Sequence, residues 1–357
     1  MNMIAAADFN ITKVERSKLV DINLENIPFG KYFTDHMLEV DFEDGEWKTP
    51  EIKPYQPLLM APSLAAIHYG QSIFEGIKAY KNSNGEASIF RPHANFKRFN
   101  ISAKRMQMPE IPEFIFMEGI KKLIEMDKNW IPSQADHSLY IRPFMFSCDD
   151  AIGVKPSEKY KFMIILSPTG PYYNNPMRIY VEEKYVRAVP GGIGFAKAAG
   201  NYGAAMHATA EAKKNGYDQV LWTDAFDHHH VQECGTMNVF FIIGNTVITP
   251  DLSSGTILAG VTRDSVITLL KEMGFDVQER ALSIHEVIQA HKEGTLREVF
   301  GTGTAATISV IKELRYKEYI MEFDIDKWDV TPEIKTRLNA IRYGVAEDKY
   351  DWMYKIL

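Results

Sequence analysis

The stretch SPTGPYYNNPM, residues 167–177, constrains this chain more than any other. It follows the apolar, strand-like run FMIIL, and its crowded prolines, glycine and asparagines read as a break between packed regions. A chain of 357 residues broken near its middle is expected to form two domains, each long enough for its own core. The boundaries read this way are 1–167 for an N-terminal α/β domain, 168–178 for a linker and 179–357 for a C-terminal domain.

The two halves are patterned differently. The first mixes strand-like EASIF and SLYIRPFMF with helical HANFKRFNISAKRM, in which Phe96, Phe99, Ala103 and Met106 recur at helical spacing. Arg91-Pro92 stands where the strand ending at Phe90 meets that helix, a position suited to a pocket rim. In the second half GAAMHATAEAKKNG reads as a helix closed by Asn215-Gly216, QVLWTDA as a strand and VFFIIGNTVITP as a hairpin about Gly244-Asn245. TRDSVITLLKEMG places Val266, Leu269, Leu270 and Met273 on one helical face, and SIHEVIQAHKEG opens with the Ser283/Glu286 pair of a capping box. Strands outnumber long helices here, so a barrel-like second domain is expected rather than a doubly wound one.

Composition narrows the function. With 45% hydrophobic and 24% charged residues the chain matches ordinary globular proteins, and a formal charge of -7 argues against nucleic acid as a partner. The N-terminus has no apolar run behind a basic segment, so neither a secretory signal nor a membrane span is expected. Two cysteines, Cys148 and Cys234, suit a reducing cytoplasm and read as small buried side chains.

Four segments look chemical. FAKAAGNYG, 195–203, isolates Lys197 among small residues, where an amine meant as a nucleophile gains from losing water. VQECGTMNVFF sets Glu233 at the head of an apolar strand, followed by Thr236 and Asn238. ILAGVTRDS is a glycine-led helix start offering N–H groups to an anion, and REVFGTGTAATIS runs from a strand into Gly301-Thr302-Gly303-Thr304, a turn able to do the same. That turn lacks the lysine and spacing of a nucleotide-binding P-loop. An amine, a carboxylate, two donor-rich turns and an arginine together meet the needs of pyridoxal phosphate: a lysine for its aldehyde, an acid for its ring nitrogen and a cradle for its phosphate.

The order of these strings resembles the branched-chain amino-acid aminotransferases, fold-type IV pyridoxal phosphate enzymes, in the longer form whose N-terminal extension carries FGKYFTDHMLEV. HYGQSIFEGIKAY, IFRPHANFKRF, LYIRPF, GPYY, KAAGNY, ECGTMN, GVTRDS and REVFGTGTAA follow in the family's order across nearly the whole chain. The resemblance implies an α/β (α+β) fold with a smaller N-terminal domain and a larger barrel-like C-terminal domain carrying the lysine. It implies that Lys197 would condense with the cofactor and shuttle the substrate proton, that Glu233 would face the ring nitrogen, and that Tyr202 would lie beside the phenolic oxygen. Arg91, Val261, Thr262 and Thr304 would hold the phosphate. Thr236 and the Thr304-Ala305 turn would bind the α-carboxylate, while Phe29, Tyr69, Phe74, Tyr140 and Val154 would wall an aliphatic pocket. Arg142 would meet the second carboxylate when glutamate occupies that pocket.

The activity implied is transfer of the amino group from L-leucine, L-isoleucine or L-valine to 2-oxoglutarate, giving L-glutamate, by a cytoplasmic homodimer. A D-amino-acid aminotransferase or an aminodeoxychorismate lyase would share Lys197 and Glu233, but the N-terminal segment and LYIRPF argue against both. A ligand- or metal-binding protein on the same scaffold is the reading from another class. DAFDHHHV, 224–231, suggests a metal, yet neighbours in an extended strand point to alternate faces, so an exposed turn with no metal is expected. The animal enzymes' cysteine pair after the GTGTA-type turn is replaced here by Ala306 and Ser309, so no thiol switch is expected.

Overall fold

The computed structural model describes residues 9–25, 27–171 and 175–356, so Tyr172 and Tyr173 of the GPYY string lie outside the described residues. The chain divides into two compact units. One holds the described part of residues 1–172 with 197–199 and 341–357, and the other the described part of 173–196 with 200–340.

The first unit is built on a sheet running, in order, Asn10–Ile11, Glu51–Pro54, His36–Glu43, Tyr160–Thr169, Ser138–Ser147, Ile77–Lys81, Ala87–Phe90 and Met353–Lys355. Glu46–Trp47 and Ser72–Phe74 pair off this path. Every pairing is antiparallel except the first. The helices Pro92–Arg105 and Glu113–Met126 meet the sheet through Phe99, Phe116 and Phe162, whose ring centroids lie 5.5 to 6.0 Å apart. All three side chains are fully buried, each contributing about 2–3 kcal/mol of apolar transfer. The strand Tyr160–Thr169 runs through Ser167 and Pro168 before the break, with Pro168 opposite Leu139. Its neighbour on the other side, His36–Glu43, pairs only as far as Ile165, so Pro168 sits where one flank of the strand has ended and tolerates a missing donor.

In the second unit the sheet order is Val231–Cys234, Gln219–Thr223, Met177–Val181, Thr307–Tyr316, Leu296–Gly303, Asn238–Ile243, Thr246–Thr249 and Asp276–Glu279, with Tyr319–Glu322 beside Thr307–Tyr316. A bridge between Cys234, at the end of the first strand of that order, and Met237, the residue before the sixth, brings those two strands together, so the sheet curls back on itself. Leu221 and Val231 from one end share a core with Val239, Phe241 and Ile248 from the other. The helix Ile284–Lys292 seals this core with Ile284, Val287 and Ile288. The hairpin about Gly244 pairs Ile243 with Thr246 and Phe241 with Ile248. Among the described residues no helix is long and apolar enough to cross a membrane.

Candidate active site

In the second unit the carboxylate, the helix start and the glycine turn converge. Glu233 is buried on Val231–Cys234. Its Oε1 accepts the Leu258 N–H at 2.6 Å, and Oε2 lies 3.3 Å from Arg187 Nε. Asn238 donates to the Leu258 carbonyl at 2.9 Å and reaches Glu233 Oε1 at 3.5 Å, so this short segment leading to the helix Val261–Glu272 is tied to the carboxylate from both sides. Gly260 caps that helix with no side-chain hydrogen bond, and a Cβ there would come within 2.0 Å of Asn238 Oδ1. Only glycine lets the helix start approach this closely, and the first-turn N–H groups, with Val261 and Thr262 buried behind them, face the position an anion would take. Thr302 pairs with Asn238 across the ladder, bringing the turn of Thr304 and Ala305 to the same end, and its Oγ1 is buried without a hydrogen-bond partner. Thr304 and Ala305 are half-buried, whereas Thr236 is exposed at the tip of the Cys234–Met237 turn. Tyr202 is half-buried in the first turn of Ala199–Lys214; next to it, Asn201 donates to the carbonyls of Ile193 and Ala196 and fixes the helix start.

In the first unit the lysine and an aromatic wall converge. Lys197, though flanked by residues of the second unit, belongs here: its N–H donates to Ser102 Oγ at 2.9 Å, its carbonyl accepts the Phe74 N–H at 3.1 Å, and Ala198 bridges Ile73. Lys197 Nζ stands 5.0 Å from the centre of the Phe74 ring. Arg142 lies 4.6 Å from the same ring and 5.2 Å from that of Tyr140, donates to the Tyr140 hydroxyl at 2.9 Å, and keeps its Nε buried without a hydrogen-bond partner. Phe29 meets Tyr140 edge to face at 5.0 Å. Gly76 packs under the Tyr140 hydroxyl, which a Cβ would approach to 2.1 Å. Arg91 is half-buried in a left-handed conformation, φ 48°, held by its N–H to the Trp352 carbonyl and by its guanidinium 5.3 Å from the Trp352 ring. Tyr69 and Val154 do not join this group within the chain: both are exposed, Val154 at 92%.

Sequence reasoning missed Arg187, the cation beside Glu233, because EKYVRAVP carries no local signal for it. It also missed Glu75, fully buried and held by Arg98, whose Nε and Nη2 each donate to it at 2.7 Å, and by Asn95 at 2.7 Å. The i, i+3 spacing of Asn95 and Arg98 beside buried Phe99 was the only available hint.

Two further readings are adjusted. The segment is the exposed turn expected, with His228 at φ 54°, but it brings one possible ligand atom each of Asp224, Asp227 and His230 within 4.8 Å of one another. The Asp224 carboxylate already accepts N–H groups from Phe226, Asp227, His229 and His230, so the cluster has the hydrogen bonding of a capped turn. Cys234 is fully buried, while Cys148 is only half-buried.

The family model for amino-transferase class IV matches residues 72–314, more than half of the chain, and the chain belongs to that family. Within it the chain is one of the branched-chain amino-acid aminotransferases. It is 46% identical over 348 residues to a probable branched-chain-amino-acid aminotransferase of Staphylococcus aureus (strain N315), a match covering 95% of this chain and 97% of that protein. The branched-chain amino acid aminotransferase of Escherichia coli has a similar structure, with TM-score 0.75 at 27% identity, covering 90% of this chain and 99% of that one. So has a branched-chain amino acid aminotransferase of T.th. complexed with N-(5'-phosphopyridoxyl)-L-glutamate, with TM-score 0.71 at 26% identity, covering 89% and 98%.

Proposed function

We propose that this chain reversibly transfers the amino group of L-leucine, L-isoleucine or L-valine to 2-oxoglutarate in a ping-pong sequence, using pyridoxal 5'-phosphate and acting as a cytoplasmic homodimer. The observation that carries the substrate reading is Arg142, a cation lodged between the Phe74 and Tyr140 rings with Nε buried and unpartnered. One pocket must take an aliphatic side chain in one half-reaction and a carboxylate in the other. An unpaired charge there would cost several kcal/mol even after relaxation of the site. An arginine stacked on aromatic faces offers the rings to leucine and the guanidinium to glutamate. The phosphopyridoxyl-glutamate bound by the T.th. relative and the names of the relatives support the same pair of substrates.

The residues present fit the cofactor. Glu233, buried and ion-paired with Arg187, is an acceptor suited to a protonated ring nitrogen. The Val261-Thr262 N–H groups, the Gly303–Ala305 turn with the orphaned Thr302 hydroxyl beside it, and Arg91 supply donors for a phosphate. When bound, pyridoxal phosphate supplies an aldehyde and an electron-accepting ring. The chain does the rest. Lys197 Nζ removes and returns the Cα proton, Glu233 keeps the proton on the ring nitrogen, and Tyr202 donates toward the phenolic oxygen. Thr236 and the Thr304-Ala305 turn orient the α-carboxylate, and Phe29, Phe74 and Tyr140 exclude water from the side chain.

The test is a visible spectrum of the purified protein with pyridoxal phosphate, titrated in separate cells with L-leucine, L-glutamate and D-alanine. Discharge of the cofactor band by both L-amino acids is expected. Discharge by D-alanine alone would move the chain to the D-amino-acid branch, and absence of any band would remove the cofactor assignment.

A further inference from the structure

We infer that the buried Glu75–Arg98 ion pair is a positioning device for Lys197, fixing its backbone and setting the field in which its amine gains and loses a proton. This rests on the transaminase reading of the site. The lysine is stitched to both halves of the pair. Its carbonyl accepts the N–H of Phe74, the residue before Glu75. Its N–H donates to Ser102 Oγ, which in turn donates to the Arg98 carbonyl at 3.0 Å. Glu75 cannot drift, because its two oxygens take Arg98 Nε and Nη2, Asn95 Nδ2 and the Gly76 N–H, the last at 3.2 Å.

The coupling to the amine is electrostatic as well. Burial works against the Glu75 charge, but Arg98 foremost, with Lys197 and Asn95, holds its carboxyl below the usual carboxylate range. Among the described residues, Arg142 also lies against the Phe74 ring that faces the amine, from the strand Ser138–Ser147. Glu75 and Arg98 are opposite charges in direct contact, so removal of either one leaves the other unopposed.

Opposite-signed responses are the test. In the full-length chain stripped of cofactor, acetylation of Lys197 by acetic anhydride is followed against pH by peptide mass spectrometry. Glu75→Gln, which leaves the Arg98 cation, is expected to move the midpoint of the profile down by about one pH unit, tenfold in free amine at fixed pH. Arg98→Met, which leaves the Glu75 anion, moves it up by a similar amount. The double variant returns it to within a few tenths of the parent, and Arg98→Lys stays near the parent. A merely structural role would lower melting temperature in both single variants without splitting the midpoints. A stranded buried charge is destabilising. If Arg98→Met fails to fold, Glu75→Gln against the double variant decides the same question, since the second substitution removes the cation the first uncovers. Midpoints that stay in place, or shift the same way in both single variants, overturn the inference. Loss of the leucine reaction with the split intact would sink the substrate reading alone.

Discussion

A single phenyl ring, that of Phe74, carries two cations, Lys197 and Arg142, and the chemistry at the residue scale divides between them. Lys197→Ala should abolish transamination and leave the fold intact, because both backbone bonds of residue 197 survive. Half-reaction spectra together with a thermal melt check this, and near-normal turnover would end the mechanism. Glu233→Gln should slow both half-reactions by a hundredfold or more, roughly the loss of one charged hydrogen bond in the reacting state, read in stopped-flow traces. Arg142→Met should separate the substrates. The glutamate half-reaction is expected to fall roughly tenfold to a hundredfold in kcat/KM while leucine stays within a few-fold, and parallel losses would take Arg142 out of its role. Lys197, Glu233 and the two donor-rich turns were legible in the sequence because each lies in a short motif whose neighbours announce it. Glu75 and Arg98 were not, since residues on a strand and a helix become partners only when the sheet is packed. Tyr69 and Val154 are exposed in the single chain, and no local pattern distinguishes a wall residue from an exposed one.

At the scale of elements, the turn between Gln219–Thr223 and Val231–Cys234 depends on one carboxylate. Burial opposes the Asp224 charge, yet the backbone N–H groups of His230, Phe226, Asp227 and His229 hold its carboxyl down at about 2, below the ordinary 3.8. A carboxyl depressed in the folded state stabilises above its unfolded value, and that contribution drains away as pH falls from about 4 through 2. Asp224→Asn, whose amide side cannot accept, should therefore melt about 2–4 °C lower than the parent at pH 7, with the gap closing toward pH 2. A gap independent of pH would mean that the turn is held by something else. The helices, the Gly244 hairpin and the Ser283 cap were readable from periodicity and turn residues. The capping box is only half made: Ser283 accepts the Glu286 N–H at 3.0 Å, but the Glu286 carboxylate is taken by Arg280. The turn at 224–230 was legible from its place between two strands, but the positive φ at His228 was not, since it leaves no mark in composition.

For the whole molecule, the proline- and asparagine-rich run 167–177 carries no sign of the later segments that rejoin the first unit. Residues 197–199 and 341–357 pack with the first unit, since the strand Met353–Lys355 pairs with Ala87–Phe90 and Trp352 sets its ring 5.8 Å from that of Phe90. No periodicity in so short a terminal segment specifies a strand partner this distant. Trp352→Ala should cost about 3–4 kcal/mol and, by releasing the backbone and ring that hold Arg91, weaken retention of pyridoxal phosphate. Thermal melts and cofactor content after dialysis check both effects, and full retention would detach Arg91 from its C-terminal support. The same return fixes an order of events during synthesis. Ala87–Phe90 emerges early from the ribosome, but the strand that covers its edge is made last, a delay of roughly ten seconds to a minute at 5–20 residues per second. Through that interval Ala87–Phe90 itself is the sheet edge, and its unpaired N–H and C=O groups are open to edge-to-edge pairing until Met353–Lys355 takes its place.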